Sequence, residues 1–161
     1  SRDEIKKVTR HVRLLGELPN PKLPGELRRY RAVLGNLMTL QLKLEKAWAA
    51  ACEDPETRES GVKTITEIEA KMAALAPLKA GSEPLVTGKW LMEHTSAKPG
   101  KVLGRMKDYL HYCQVDMDLA DLDAVGEVCE QELNSLESMD QHLMEAHIEV
   151  MPRLRWPPST E

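Results

Sequence analysis

Between residues 122 and 150 the chain repeats an apolar side chain at alternating intervals of three and four. Positions 122, 125, 129, 132, 136, 139, 143, 146 and 150 hold Leu, Val, Cys, Glu, Leu, Met, Leu, Ala and Val, so only Glu132 interrupts the series. Strands repeat every second residue; a 3.5-residue period this sustained predicts a long helix packed along another. At 1.5 Å per residue it would reach roughly 45 Å, more than a small globule needs, so part of it is expected to lie against a neighbouring helix or chain. With no Phe, three Trp and three Tyr, the core has to be built from Leu, Met, Val, Ile and Ala, which suits helices better than sheets. The expectation is an all-α protein, an irregular bundle of about six helices with a long C-terminal helix.

The remaining helices are marked by their caps. Ser1 followed by Glu4 is a capping-box pattern, and Ile5, Val8, Val12 and Leu15 give a helix ending near Gly16. Lys6, Arg10 and Arg13 run along another side of it, as a solvated face or an RNA-facing stripe. Pro19, Pro21, Pro24 and Gly25 force an extended connector. Leu27, Tyr30, Leu34, Leu37, Gln41, Leu44 and Trp48 then predict one helix over 26–52. Arg28, Arg29 and Arg31 sit in its first turns, where cations oppose the helix dipole and call for an anionic partner or a gain in solubility. Asp54-Pro55-Glu56 restarts the chain as a helix carrying Val62, Ile65, Ile68 and Met72 and stopping before Pro77. Residues 80–84 read as a linker. They divide a three-helix part, 1–80, from a second helical part, 81–151, with 152–161 as an extended tail. That tail cannot fold alone. Arg153, Arg155 and Trp156 would suit a peptide anchored in a partner's groove; a disordered tail is the other reading.

Charge is divided as sharply. Over 1–107 there are 20 Lys and Arg against 13 Asp and Glu, a net of +7; over 108–161 there are 2 against 13, a net of −11. A polyanion should meet the first two-thirds and avoid the remainder. No window holds 18 apolar residues, so a membrane is not expected as a partner. Cys52, Cys113 and Cys129 form no CxxC pair and leave an odd one over, which argues for a reducing compartment or a redox-neutral use of Cys. The start at Ser1 rather than Met fits an excised domain or a product processed after import, in the mitochondrial matrix rather than the cytoplasm.

Catalytic and metal chemistry find no foothold. His142 and His147 are five apart, about 140° around a helix, so they do not share a face as HExxH histidines do. Asp116, Asp118, Asp121 and Asp123 lack the central Gly and terminal Glu of a calcium loop and read as a helix start. There is no nucleophile elbow and no Gly-rich nucleotide loop. The sequence points to no enzyme, cofactor or metal.

Residues 84–112 hold the one local feature with chemistry in it. Thr87 is an N-cap for a short helix carrying Lys89, Trp90 and Leu91. A Lys-Pro-Gly-Lys turn follows at 98–101, and Leu103, Met106 and Leu110 line the inner side of the next helix. Pro99 suits the first helical position. Gly100 and Lys101 then leave free N–H groups at a helix end carrying partial positive charge, with Lys98, Lys101, Arg105 and Lys107 around it: a seat for a phosphate.

Here the chain resembles the C-terminal tail region of bacterial-type CCA-adding enzymes and their poly(A) polymerase relatives. Pro84, Gly88, Leu91, Lys98, Pro99, Gly100 and Gly104 match the family pattern in type and order, over about 30 of the 161 residues. Trp90 stands where the family has Asp, and Thr95-Ser96-Ala97 alter the loop before Lys98. The resemblance implies an all-helical part that holds the body of a tRNA, without the catalytic head that adds nucleotides. The function expected is therefore a non-catalytic helical RNA-binding protein contacting rRNA or tRNA through phosphates, as an accessory component of an organellar ribosome. Lys89, Lys98, Gly100, Lys101, Arg105, Lys107, Arg10, Arg13, Arg28 and Arg29 are its candidate contacts. The alternatives are a structural subunit docking protein neighbours along the C-terminal helix and tail, or the tRNA-binding fragment of a CCA-adding enzyme.

Overall fold

The computed structural model describes residues 1–158, and among them it is all-helical, without a strand. The helices are α1 (Arg2–Arg13), α2 (Pro24–Leu34), α3 (Met38–Ala50), α4 (Pro55–Ala74), α5 (Gly88–His94), α6 (Lys101–Asp116), α7 (Leu122–Glu137) and α8 (Gln141–Glu149), with a 3-10 turn, Gly35–Leu37, between α2 and α3. None is long and apolar enough to cross a membrane. The chain divides into two compact units, 1–76 and 77–158.

In the first unit the caps form as their residues dictate. Ser1 and Glu4 close the capping box of α1, and the Asp54 side chain accepts from the Thr57 N–H with Pro55 opening α4. The helix expected over 26–52 is broken. Gly35 adopts φ +56, a conformation that costs a side-chain-bearing residue energy and Gly little. It ends α2 and lets α3 leave in a new direction. Leu27, Tyr30, Leu34, Leu42, Ile65, Ile68 and Met72 are buried. α3 and α4 pack so closely that a Cβ on Gly61 would lie 3.1 Å from that of Ala49.

In the second unit α5, α6 and α7 share a core of Val86, Leu91, Leu103, Met106, Leu110, Val125 and Cys129. Each large aliphatic side chain buried there contributes roughly 1.5–3 kcal/mol. Thr87 caps α5 as expected, accepting from the Trp90 N–H at 3.1 Å. The expected linker, 80–84, is held at Glu83 by α6. Gln114, buried on α6, accepts from the Leu85 N–H and donates to the Glu83 carbonyl, both at 2.9 Å.

The long C-terminal helix does not form; its residues make α7 and α8. The Ser138 hydroxyl donates to the Ser135 carbonyl at 2.7 Å, and the Asp140 carboxylate accepts from the Leu143 N–H at 2.9 Å. Asp140 is thus the N-cap of a new helix, an alternative that competes with continuing the old one. The apolar series continues in number but not in space. Val125, Cys129 and Leu136 are buried, whereas Leu143 and Val150 are exposed. α8 turns Ile148 inward instead, and Leu136, Ile148 and Met151 form a second small cluster with Met139 and Met144 beside it. Glu132, the lone acid in the series, accepts from the Tyr109 hydroxyl at 3.0 Å and lies 3.5 Å from His147 Nε2.

The tail also differs from expectation. Trp156 is buried and Arg155 is half-buried, so this Trp is not free to anchor in a partner's groove; Arg153 is exposed. Residues 159–161 of the expected tail lie outside the described residues.

Candidate nucleic-acid interface

The turn at 98–101 lies on the surface. Pro99 is not the first helical residue. Gly100 takes φ +149 and serves as N-cap, and α6 begins at Lys101. The backbone turns at the one residue that adopts this φ without strain, which leaves Pro99 outside the helix. No side chain caps α6, so the first N–H groups remain available at the positive end of its dipole. Nothing lies within 4 Å of where a Cβ on Gly100 would stand.

The cations expected around that end are only partly free. Lys101 Nζ pairs with the Glu149 carboxylate, and Arg105 Nη2 donates to the backbone carbonyls of Glu149 at 2.6 Å and Met151 at 3.1 Å. The hydrogen bond from Lys101, and its charge, hold the Glu149 carboxyl below the usual carboxylate range. A cavity of about 420 Å³ opens here, lined by Lys101, Arg105, His142, Glu145 and Glu149 among others. The seat is therefore mixed in charge. Because Lys101 and Glu149 are both largely exposed, water and salt screen their pair, and a phosphate can compete with the carboxylate for the ammonium. Lys98 is exposed and Lys107 half-buried. Lys89 stands 3.9 Å from Glu93 on the exposed face of α5.

The other candidate cations belong to the first unit. Arg13 is exposed on α1. Arg10 donates to the Val33 carbonyl at 3.3 Å, which fixes it to the end of α2. Arg28 is half-buried. Arg29 is buried, out of reach of a polyanion. Against the expectation that it contacts RNA, Arg29 falls beside buried Tyr30 on the inward side of α2.

A buried polar seam runs through the same unit, and the sequence did not announce it. His11 Nδ1 lies 2.7 Å from Gln41 Oε1, and Gln41 Nε2 donates to the His11 carbonyl and to Glu45 Oε1, both at 3.2 Å. With the amide group oriented this way, His11 carries its proton on Nδ1. The Glu45 carboxylate receives the Gly16 N–H at 2.9 and 3.0 Å. Burial pushes the Glu45 carboxyl above its ordinary value, against the two hydrogen bonds that favour its charge. The signal in the sequence was Gln41, and Glu45 four residues on, inside a helix otherwise read by its apolar stripe.

No family model matches the chain, and no curated protein or solved structure does either.

Proposed function

We propose that this chain is a non-catalytic, all-helical RNA-binding protein that grips structured RNA by its phosphates. The observation that carries the reading is the open start of α6: an exposed turn, an uncapped helix N-terminus, an unobstructed Gly100 and Lys98, Lys101 and Arg105 near it. A phosphate placed there would accept from backbone N–H groups and displace the Glu149 carboxylate from Lys101. Contacts of this kind select shape rather than base sequence. The resemblance of residues 84–112 to the tail of CCA-adding enzymes supports a tRNA-like fold as the preferred ligand.

The test is filter binding of a folded tRNA at several salt concentrations, with Lys98→Ala and Lys101→Ala beside the parent chain. Each substitution should weaken binding and reduce the salt slope by about 0.7–0.9 for every phosphate left without its cation. Unchanged affinity and slope in both would show that RNA does not use this seat.

A further inference from the structure

α1 is sharply divided into apolar and charged sides, yet its apolar stripe does not face the core. Ile5, Val8 and Val12 are 66, 62 and 60% exposed, while His11 and Leu14 take the buried positions. On α3, Leu40, Leu44 and Trp48 also face outward.

The two sets adjoin where α1 ends against α3. His11, near the C-terminal end of α1, meets Gln41, and Gly16, just beyond that end, meets Glu45, so α1 reaches α3 at this end and the two chain segments advance in the same direction there. From that seam Val8 and Val12 follow in one rotational sense around α1. Leu44 and Trp48 follow in the opposite sense around α3, which places both sets on the same side of the pair. The other side of α3 is occupied by α4, against Ala49. Six large apolar side chains exposed together are more than scattered surface hydrophobics, and they mark an interaction site. At the edge of this face, between Trp48 and α4, a cavity of about 480 Å³ lined by Leu18, Glu45, Ala49, Gly61 and Ile65 among others offers room for an anchoring side chain.

The rim is cationic. Arg2, Lys6 and Arg13 run along the outer edge of α1, and Lys43 lies on the outer edge of α3, all of them exposed. Of the acids here, Glu4 is paired with the N-terminal amine, Glu45 is buried in the seam, Asp3 lies across α1 from Ile5, and Glu17 is the one exposed acid beside Gly16, against the four cations. We propose that this face docks an amphipathic helix of a partner protein, its apolar stripe flanked by Asp and Glu. The cavity beside Trp48 favours a helix carrying one large anchor over a lipid surface, which presents no such protrusion.

The test uses the full chain and two short helical peptides with the same Leu stripe, one flanked by Glu and one by Lys, followed by fluorescence anisotropy. The Glu peptide should bind at least tenfold more tightly than its Lys twin. The pair Val12→Asp with Leu44→Asp should cost at least tenfold while the helical circular dichroism is retained. Arg13→Glu with Lys43→Glu should reverse the preference between the peptides, a result misfolding does not produce. Equal binding of the two peptides, or binding unchanged in Val12→Asp with Leu44→Asp, overturns the proposal. So does binding to phosphatidylserine vesicles, or concentration-dependent dimerisation, with neither peptide bound.

Discussion

Arg105 meets Glu149 through the backbone: the guanidinium donates to the Glu149 carbonyl at 2.6 Å, while the Glu149 carboxylate pairs with Lys101. Arg105 therefore closes the C-terminal end of α8, where carbonyls lack helical partners. Arg105→Ala should lower stability by about 1–3 kcal/mol, since two carbonyls lose a charged donor. Urea unfolding measures it; a change within experimental error would mean that water replaces the guanidinium without cost.

Glu149→Gln removes the anion that would compete with a phosphate for Lys101 in the proposed site. It should strengthen RNA binding severalfold at low salt, and the gain should shrink as salt rises. Weaker binding would show that Glu149 supports the seat rather than contests it.

The Glu45 carboxyl sets a pH dependence whose sign is opposite to that of a salt-bridged acid. Its ordinary value is 4.5, and burial raises it in the folded chain. Below 4.5 both states hold the proton. From there up to the raised folded value the folded chain keeps a proton the unfolded chain has lost, so this group's contribution to stability falls as pH rises through that window. Glu45→Gln has no such titration. Urea midpoints for the two proteins should therefore diverge as pH climbs above 4.5, with the parent losing ground; parallel curves would contradict the placement of Glu45.

Asp140→Ala removes the N-cap of α8 and should cost about 1 kcal/mol, read from thermal or urea unfolding. Gly100→Ala forces a side chain onto φ +149 and should cost about 1–3 kcal/mol through backbone strain alone, because the space around it is open. If Gly100→Ala were neutral, the turn before α6 would have to adopt another conformation.

The all-helical architecture and most helix starts were legible because they are local. Ser1 with Glu4, Asp54 with Pro55, and Thr87 satisfy N–H groups three residues away, and the residue types announce it. The breaks at Gly35 and Asp140 were hidden by apolar spacing that continues across them. Period reports a face only while the helix lasts, and a single Gly or Asp can end it. Which side of α1 is buried depends on His11 finding Gln41 thirty residues on, and a polar side chain bonded at such distance looks like a surface one in sequence. The turn before α6 and the cations around it were legible in the sequence. The carboxylate paired with Lys101 belongs to Glu149, 48 residues away, beyond any local pattern.

The most direct measurement of RNA binding through the α6 seat is the salt dependence of folded tRNA binding to the full chain. Two or three phosphate contacts at Lys98, Lys101 and Arg105 predict a log–log slope of about −1.4 to −2.7, made shallower by Lys98→Ala with Lys101→Ala. A slope near zero, or no binding at low salt, would contradict it.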